Sequence, residues 1–104
     1  QDGVLKAATD WLPVAVTIDE GASIGARAVC VAPVHIGAWA MVGAGSVVTK
    51  DVKAFSLVRG VPARHVGWVG RAGKPLAEKA GKFICPTTGE TYAELDNGLV
   101  LESI

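Results

Sequence analysis

Stepping through the chain in sixes from Leu12 lands on Ile18, Ile24, Cys30, Ile36, Val42 and Val48, so that seven successive positions are aliphatic or Cys. Seven such hits in a single register arise by chance on the order of once in a thousand sequences of this composition. Two residues before each stand Asp10, Val16, Ala22, Ala28, Val34, Ala40 and Ser46, most of them small. Gly25, Gly37 and Gly43 follow the repeat position directly, where freedom to take positive φ would let the backbone turn. A helix repeats at about 3.6 residues and a lone strand at about two, so a period of six means short strands joined by regular bends. The pattern predicts a triangular prism. Each side is one strand, the repeat residue points inward, and the small residue eases the crowding near a corner. Three hexads make a coil, and stacked coils hydrogen-bond to one another, so all these strands are parallel.

Residues 10 to 53 hold about two and a half coils, fewer than a solenoid usually needs. The chain also starts at Gln1 with the repeat already running by Leu12. Both features lead us to expect the C-terminal part of a longer protein, with further hexads upstream or a tight oligomer. The expected organisation is coils over 1–61, a capping helix over 62–70 that starts near Pro62, and a linker with a β-meander over 71–104. In the tail, Leu76 to Lys79 is expected to form a helical turn. Lys82 to Cys85, Thr91 to Leu95 and Leu99 to Leu101 read as strands, with Asp96-Asn97-Gly98 as a hairpin turn. The meander is expected to pack on an oligomer and to carry no chemistry.

The run Ile24-Gly25-Ala26, Ile36-Gly37-Ala38 and Val42-Gly43-Ala44-Gly45-Ser46-Val47-Val48-Thr49-Lys50-Asp51, continued by Gly60-Val61-Pro62-Ala63-Arg64, resembles the hexapeptide-repeat acyltransferases over residues 12 to 69. The resemblance implies an all-β, left-handed parallel β-helix, a rare exception to right-handed crossovers. It further implies a homotrimer with acetyl-CoA bound between subunits as co-substrate. Gly67-Trp68-Val69 and Cys85-Pro86 are most similar to the N-acetyltransferases of nucleotide-linked amino sugars, which implies a nucleotide-sugar acceptor. Relatives often carry two zinc-binding Cys pairs in this tail. Here only Cys85 stands, and a single Cys cannot make a four-ligand site, so no metal is expected.

Carried over by motif, Ala26 and Ala44 would lie beside the pantetheine arm, Thr49 and Lys50 would face the nucleotide, and Arg64 would meet a phosphate. No residue matches a catalytic position of the family. His35 should point outward beside Ile36, and His65 follows the Arg64 motif. Trp39 should pack outward, against a neighbouring subunit or the CoA, and Trp11 and Trp68 should cap the apolar ends. Two other readings share the solenoid. One is a non-catalytic trimerisation scaffold. The other is a γ-class carbonic anhydrase, which needs three His ligands where this chain has two His.

Composition narrows this further. Ten Lys and Arg balance ten Asp and Glu over 104 residues, which argues against nucleic acid as a partner. Cys30 and Cys85 lack ligand-type spacing and fit reduced thiols in a cytoplasm. Residues Ala28 to Val48 carry no charge, as a membrane span would, but Pro33, Gly37, Gly43, Gly45 and the Val content indicate soluble β-structure.

Overall fold

The computed structural model of the chain describes residues 15–96 and 98–103. Asp10, Trp11, Leu12 and Asn97 lie outside the described residues. Six short strands follow the hexads: β1 (Val16–Ile18), β2 (Ser23–Ile24), β3 (Val29–Cys30), β4 (Val34–Ile36), β5 (Met41–Val42) and β6 (Val47–Val48). They pair in parallel at an offset of eighteen residues, β1 on β4, β2 on β5 and β3 on β6, with Val16 opposite Val34, Ser23 opposite Met41 and Val29 opposite Val47. Three hexads therefore make one coil. The uncharged stretch from Ala28 to Val48 is strand and turn throughout.

The last coil is shorter. Ile36 bridges to Val52, and β7 (Ser56–Arg59) pairs in parallel with β5, Met41 opposite Leu57, both at an offset of sixteen. β8 (Arg64–Trp68) then folds back antiparallel on β7, with a bulge between Leu57 and Val58. The helix expected over 62–70 is not formed. Val66, Trp68 and Val69 favour strand, Gly67 weakens a helix, and the exposed edge of β7 offers the segment a ladder of hydrogen bonds.

The repeat positions bury progressively along the chain. Ile18 is 50% exposed and Ile24 37%, whereas Ile36 is 0% and Val42 and Val48 are 1% exposed. Val34 and Ala40, two residues before repeat positions, join Ile36, Val42, Val48, Val52 and Val58 in one core cluster. The small phase of the repeat is thus part of the core rather than a corner spacer. Each fully buried aliphatic side chain there contributes about 1.5–3 kcal/mol.

The glycines after the repeat position serve a different purpose from the one expected. Gly25, Gly37 and Gly43 do not have positive φ; Gly21, Arg27, Trp39 and Gly45 do, and their separations are multiples of six. The turn is made three residues after the repeat position. What Gly25 and Gly37 supply is room: a Cβ on Gly25 would lie 2.5 Å from Ala44 N, and one on Gly37 2.5 Å from Ala54 N, in the next coil.

The tail forms a four-stranded antiparallel sheet in the order β12, β11, β10, β9, made of β9 (Ala77–Lys79), β10 (Lys82–Ile84), β11 (Thr91–Leu95) and β12 (Gly98–Ser103). The three expected strands are present. The helical turn expected over Leu76 to Lys79 is instead β9, because Ala80 and Gly81, with φ of 52° and 78°, make a two-residue hairpin turn of the type whose twist matches its strands. The sheet joins the coils at one seam. Leu99 N donates to Ala54 O at 3.2 Å, and Phe55, Tyr92 and Leu99 form a second core with Trp39, Trp68, Leu76 and Phe83 packed against it. Trp39, expected to pack on a neighbour or on the CoA, packs within its own chain, its ring covering Gly21.

Candidate functional site

Ala26 and Ala44 follow β2 and β5, one coil apart, and both are exposed. Gly45 N donates to Ala26 O at 2.9 Å, so the two alanines stack at one corner of adjoining coils. The same column continues into the short coil as Arg59 and Gly60, which follow Val58 as Gly43 and Ala44 follow Val42. Val47 N donates to Gly60 O at 3.0 Å, and a Cβ on Gly43 would lie 3.0 Å from that of Arg59. Arg59 is in turn the cross-strand partner of Arg64. The structure thus makes a strip of small residues that ends beside the cross-strand pair Arg59 and Arg64.

Beside it, at the mouth of the last coil, is a half-open cleft of ≈ 520 Å³. Val48, Val52, Val58 and Ala63 form its apolar floor, and Lys50, Lys53 and Arg64 are among its rim. Lys50 and Arg64 thus both line this cleft. Thr49 is exposed next to Lys50 in the chain but does not line the cleft.

Inside the cleft, Ser56 Oγ lies 2.6 Å from His65 Nδ1, and the His65 ring stands edge-on to Trp68 with centroids 4.5 Å apart. Ser56, Val58, His65 and Trp68 share one face of the β7–β8 hairpin, since Ser56 pairs with Trp68 and Val58 with His65 across the bulge. Partial burial pushes the His65 pKa down; Glu94 opposes this and Lys53 reinforces it. The ring is held neutral near pH 7.

His35 is exposed, as its position beside Ile36 implied. Its Nε2 lies 2.6 Å from Asp19 Oδ2, and its backbone N donates to Asp51 Oδ1 at 2.9 Å, so it ties three successive coils together. Sequence reasoning passed over Arg59, Ser56, Lys53, Trp68 as a cleft wall, and Glu94. Arg59 was hidden by the two-residue shortening of the last coil, which stacks it on Gly43 beside the alanine column. Ser56 and Glu94 carry no local signal, because a bulge and a contact from a distant strand bring them in.

Short parallel strands paired eighteen residues apart, with small residues stacked at one corner, make an all-β arrangement with a three-hexad repeat. The proteins this chain is similar to are hexapeptide-repeat acyltransferases. The chain is 42% identical over 87 residues to the dTDP-3-amino-3,6-dideoxy-alpha-D-galactopyranose 3-N-acetyltransferase of Aneurinibacillus thermoaerophilus, a match that takes in 84% of this chain and 44% of that enzyme. Over 55 residues it is 53% identical to the bifunctional protein GlmU of Thermotoga petrophila, covering 50% of this chain and 12% of the relative. The serine acetyltransferase of Brucella abortus, solved in complex with coenzyme A, superposes with a TM-score of 0.56 and 34% identity over 64% of this chain and 26% of that one. The chain matches no family model. It spans under half the length of these curated relatives.

Proposed function

We propose that this chain forms the CoA-binding coils of an acetyl-CoA-dependent N-acetyltransferase that acts on an amino group of a nucleotide-linked sugar. The observation that carries the reading is the exposed column Ala26, Ala44, Gly60 ending at Arg59 and Arg64. A pantetheine arm needs a narrow strip where its amides reach backbone groups, and small side chains leave that strip open. The phosphates at the far end of CoA need cations, and guanidinium forks meet phosphate oxygens with paired, charge-assisted bonds. Lys50 and Thr49 then face the nucleotide from the neighbouring turn. Among possible acceptors, an amino sugar is favoured by the relative that matches most of the chain.

In this reading the coils have the left-handed sense of the family and assemble as a homotrimer in a reducing cytoplasm. The exposed aliphatic residues Val29 and Val31, at 52% and 47%, give one side of the prism an apolar surface for a second subunit. The two free thiols, Cys30 and Cys85, are compatible with that compartment.

Calorimetric titration with CoA tests the reading. Lys50→Ala combined with Arg64→Ala should weaken CoA binding by about tenfold or more, the loss expected for hydrogen bonds to charged groups. Unchanged affinity in the double variant, or no binding of CoA to the unmodified chain at millimolar concentration, would remove these residues from the site.

A further inference from the structure

The cleft at the mouth of the last coil contains a hydrogen-bond donor that the acetyl-transfer reading does not use. Ser56 is 2% exposed, and its hydroxyl has one partner among the described residues, His65 Nδ1 at 2.6 Å. A buried hydroxyl whose hydrogen has only one acceptor in reach donates to it, since the opposite arrangement would leave that hydrogen unpaired. Nδ1 of His65 is therefore the acceptor, and in the neutral ring the proton sits on Nε2. That Nε2–H has no partner among the described residues, and the ring lines the cleft.

Around this donor the charges are uneven. Lys50 and Lys53 precede β7, Arg64 lies on β8, and the opposing carboxylates are Asp51 and, from β11, Glu94. Asp51 Oδ1 is already engaged by the backbone N–H of His35. Three cations and one directed N–H donor thus stand over an apolar floor, the arrangement that suits a compact, multiply charged oxyanion attached to a carbon skeleton.

We propose that this cleft binds the phosphate group of an organic phosphate monoester, with Lys50, Lys53 and Arg64 supplying charge, His65 Nε2–H supplying a directed hydrogen bond, and Ser56 acting as a positioning residue that fixes the ring. The ester's carbon side rests on Val48, Val52, Val58 and Ala63. The proposal shares Lys50 and Arg64 with the transferase reading but stands on the cleft's own geometry. The phosphate can belong to CoA or to a separate molecule, and both present the same chemistry to the cleft. A bound dianion favours the protonated ring, so binding moves the His65 titration to higher pH.

Nitrogen-15 NMR of histidine-labelled full-length protein tests this, with inorganic phosphate, CoA and dephospho-CoA as titrants. The free protein should show His65 protonated at Nε2 and unprotonated at Nδ1, and inorganic phosphate should shift the Nε2 resonance. Ser56→Ala should mix the tautomers and weaken phosphate binding about tenfold, while His65→Gln, which keeps an amide N–H, should retain more affinity than His65→Ala. His65 is an exposed strand residue, so its two variants remain informative if Ser56→Ala does not fold. A response to CoA but not to dephospho-CoA assigns the cleft to the 3′-phosphate; a response to phosphate with none to CoA assigns it to a separate ligand, and counts against the transferase reading alone. A ring protonated at Nδ1, or a His65 signal unmoved by all three titrants, overturns the proposal.

Discussion

Tyr92 shows how a single residue holds the tail sheet together. It is 0% exposed; its hydroxyl donates to Glu90 Oε1 at 2.7 Å and accepts from Arg71 N at 3.1 Å. Arg71 Nη2 closes the network on Glu90 Oε2 at 2.6 Å. The Arg71 hydrogen bond is the main reason the Glu90 carboxyl titrates below the usual range, with the Tyr92 hydroxyl second. Because the folded pKa is depressed, the unfolded chain takes up the proton first as pH falls. The stabilisation is therefore complete above the ordinary glutamate pKa of about 4.3 and is lost as pH drops through the folded value. Glu90→Gln should lower stability at neutral pH and flatten the acid limb of a urea-melting series run from neutral to acidic pH. An acid limb identical to that of the parent would show that this carboxylate is not what fails first. Nothing in the spacing of Arg71, Glu90 and Tyr92 announces this network. It depends on a β-bulge between Thr91 and Tyr92 and on the path of the chain after Val69.

At the scale of elements, close approach of backbones matters more than intrinsic preference. Gly98 has φ of +121°, and a Cβ there would lie 2.6 Å from Ala54 N and closer still to Ala54 O, at the seam where the tail sheet meets the coils. Gly67 has nothing within 4 Å and no unusual φ. Gly98→Ala should therefore cost more than about 2 kcal/mol, while Gly67→Ala should change stability by less than about 1 kcal/mol. Equal effects in thermal melts of the two variants would mean that the seam is not tightly packed. The same contrast explains β8. Pro62 and the following short run read as a helix start, but the free edge of β7 offered that segment more hydrogen bonds than an isolated turn of helix could supply. The β9 segment likewise reads as a helical turn in sequence, and the decisive feature, Ala80-Gly81 at positive φ, is a property of the hairpin rather than of its strands.

In the molecule as a whole, two cores meet at Ala54 and Phe55. The aliphatic core runs inside the coils, and the aromatic one lies between the coils and the tail sheet. Phe55 is 6% exposed and its ring lies 4.9 Å from that of Tyr92. Phe55→Ala should cost about 3–5 kcal/mol. It should also raise hydrogen exchange at Tyr92 in the tail, whose ring packs on Phe55, and at Val58, three residues further along the chain in the aliphatic core. Faster exchange confined to the tail would show that the two cores unfold independently.

The sequence by itself determined the hexad period, the inward positions Ile36, Val42 and Val48, the three-hexad coil, and the strands of the tail sheet after Gly81. All of these follow from local repetition, in which each residue's environment is set by neighbours a fixed number of positions away. Only the tertiary structure decided that the last coil loses two residues, which stacks Gly60 on the alanine column and Arg59 on Gly43 beside it. Only it decided that β8 closes the hairpin, and that Ser56, His65 and Glu94 meet in one cleft. Those outcomes depend on register between strands, and register is settled by packing and by which backbone edge is free, neither of which leaves a periodic trace along the chain.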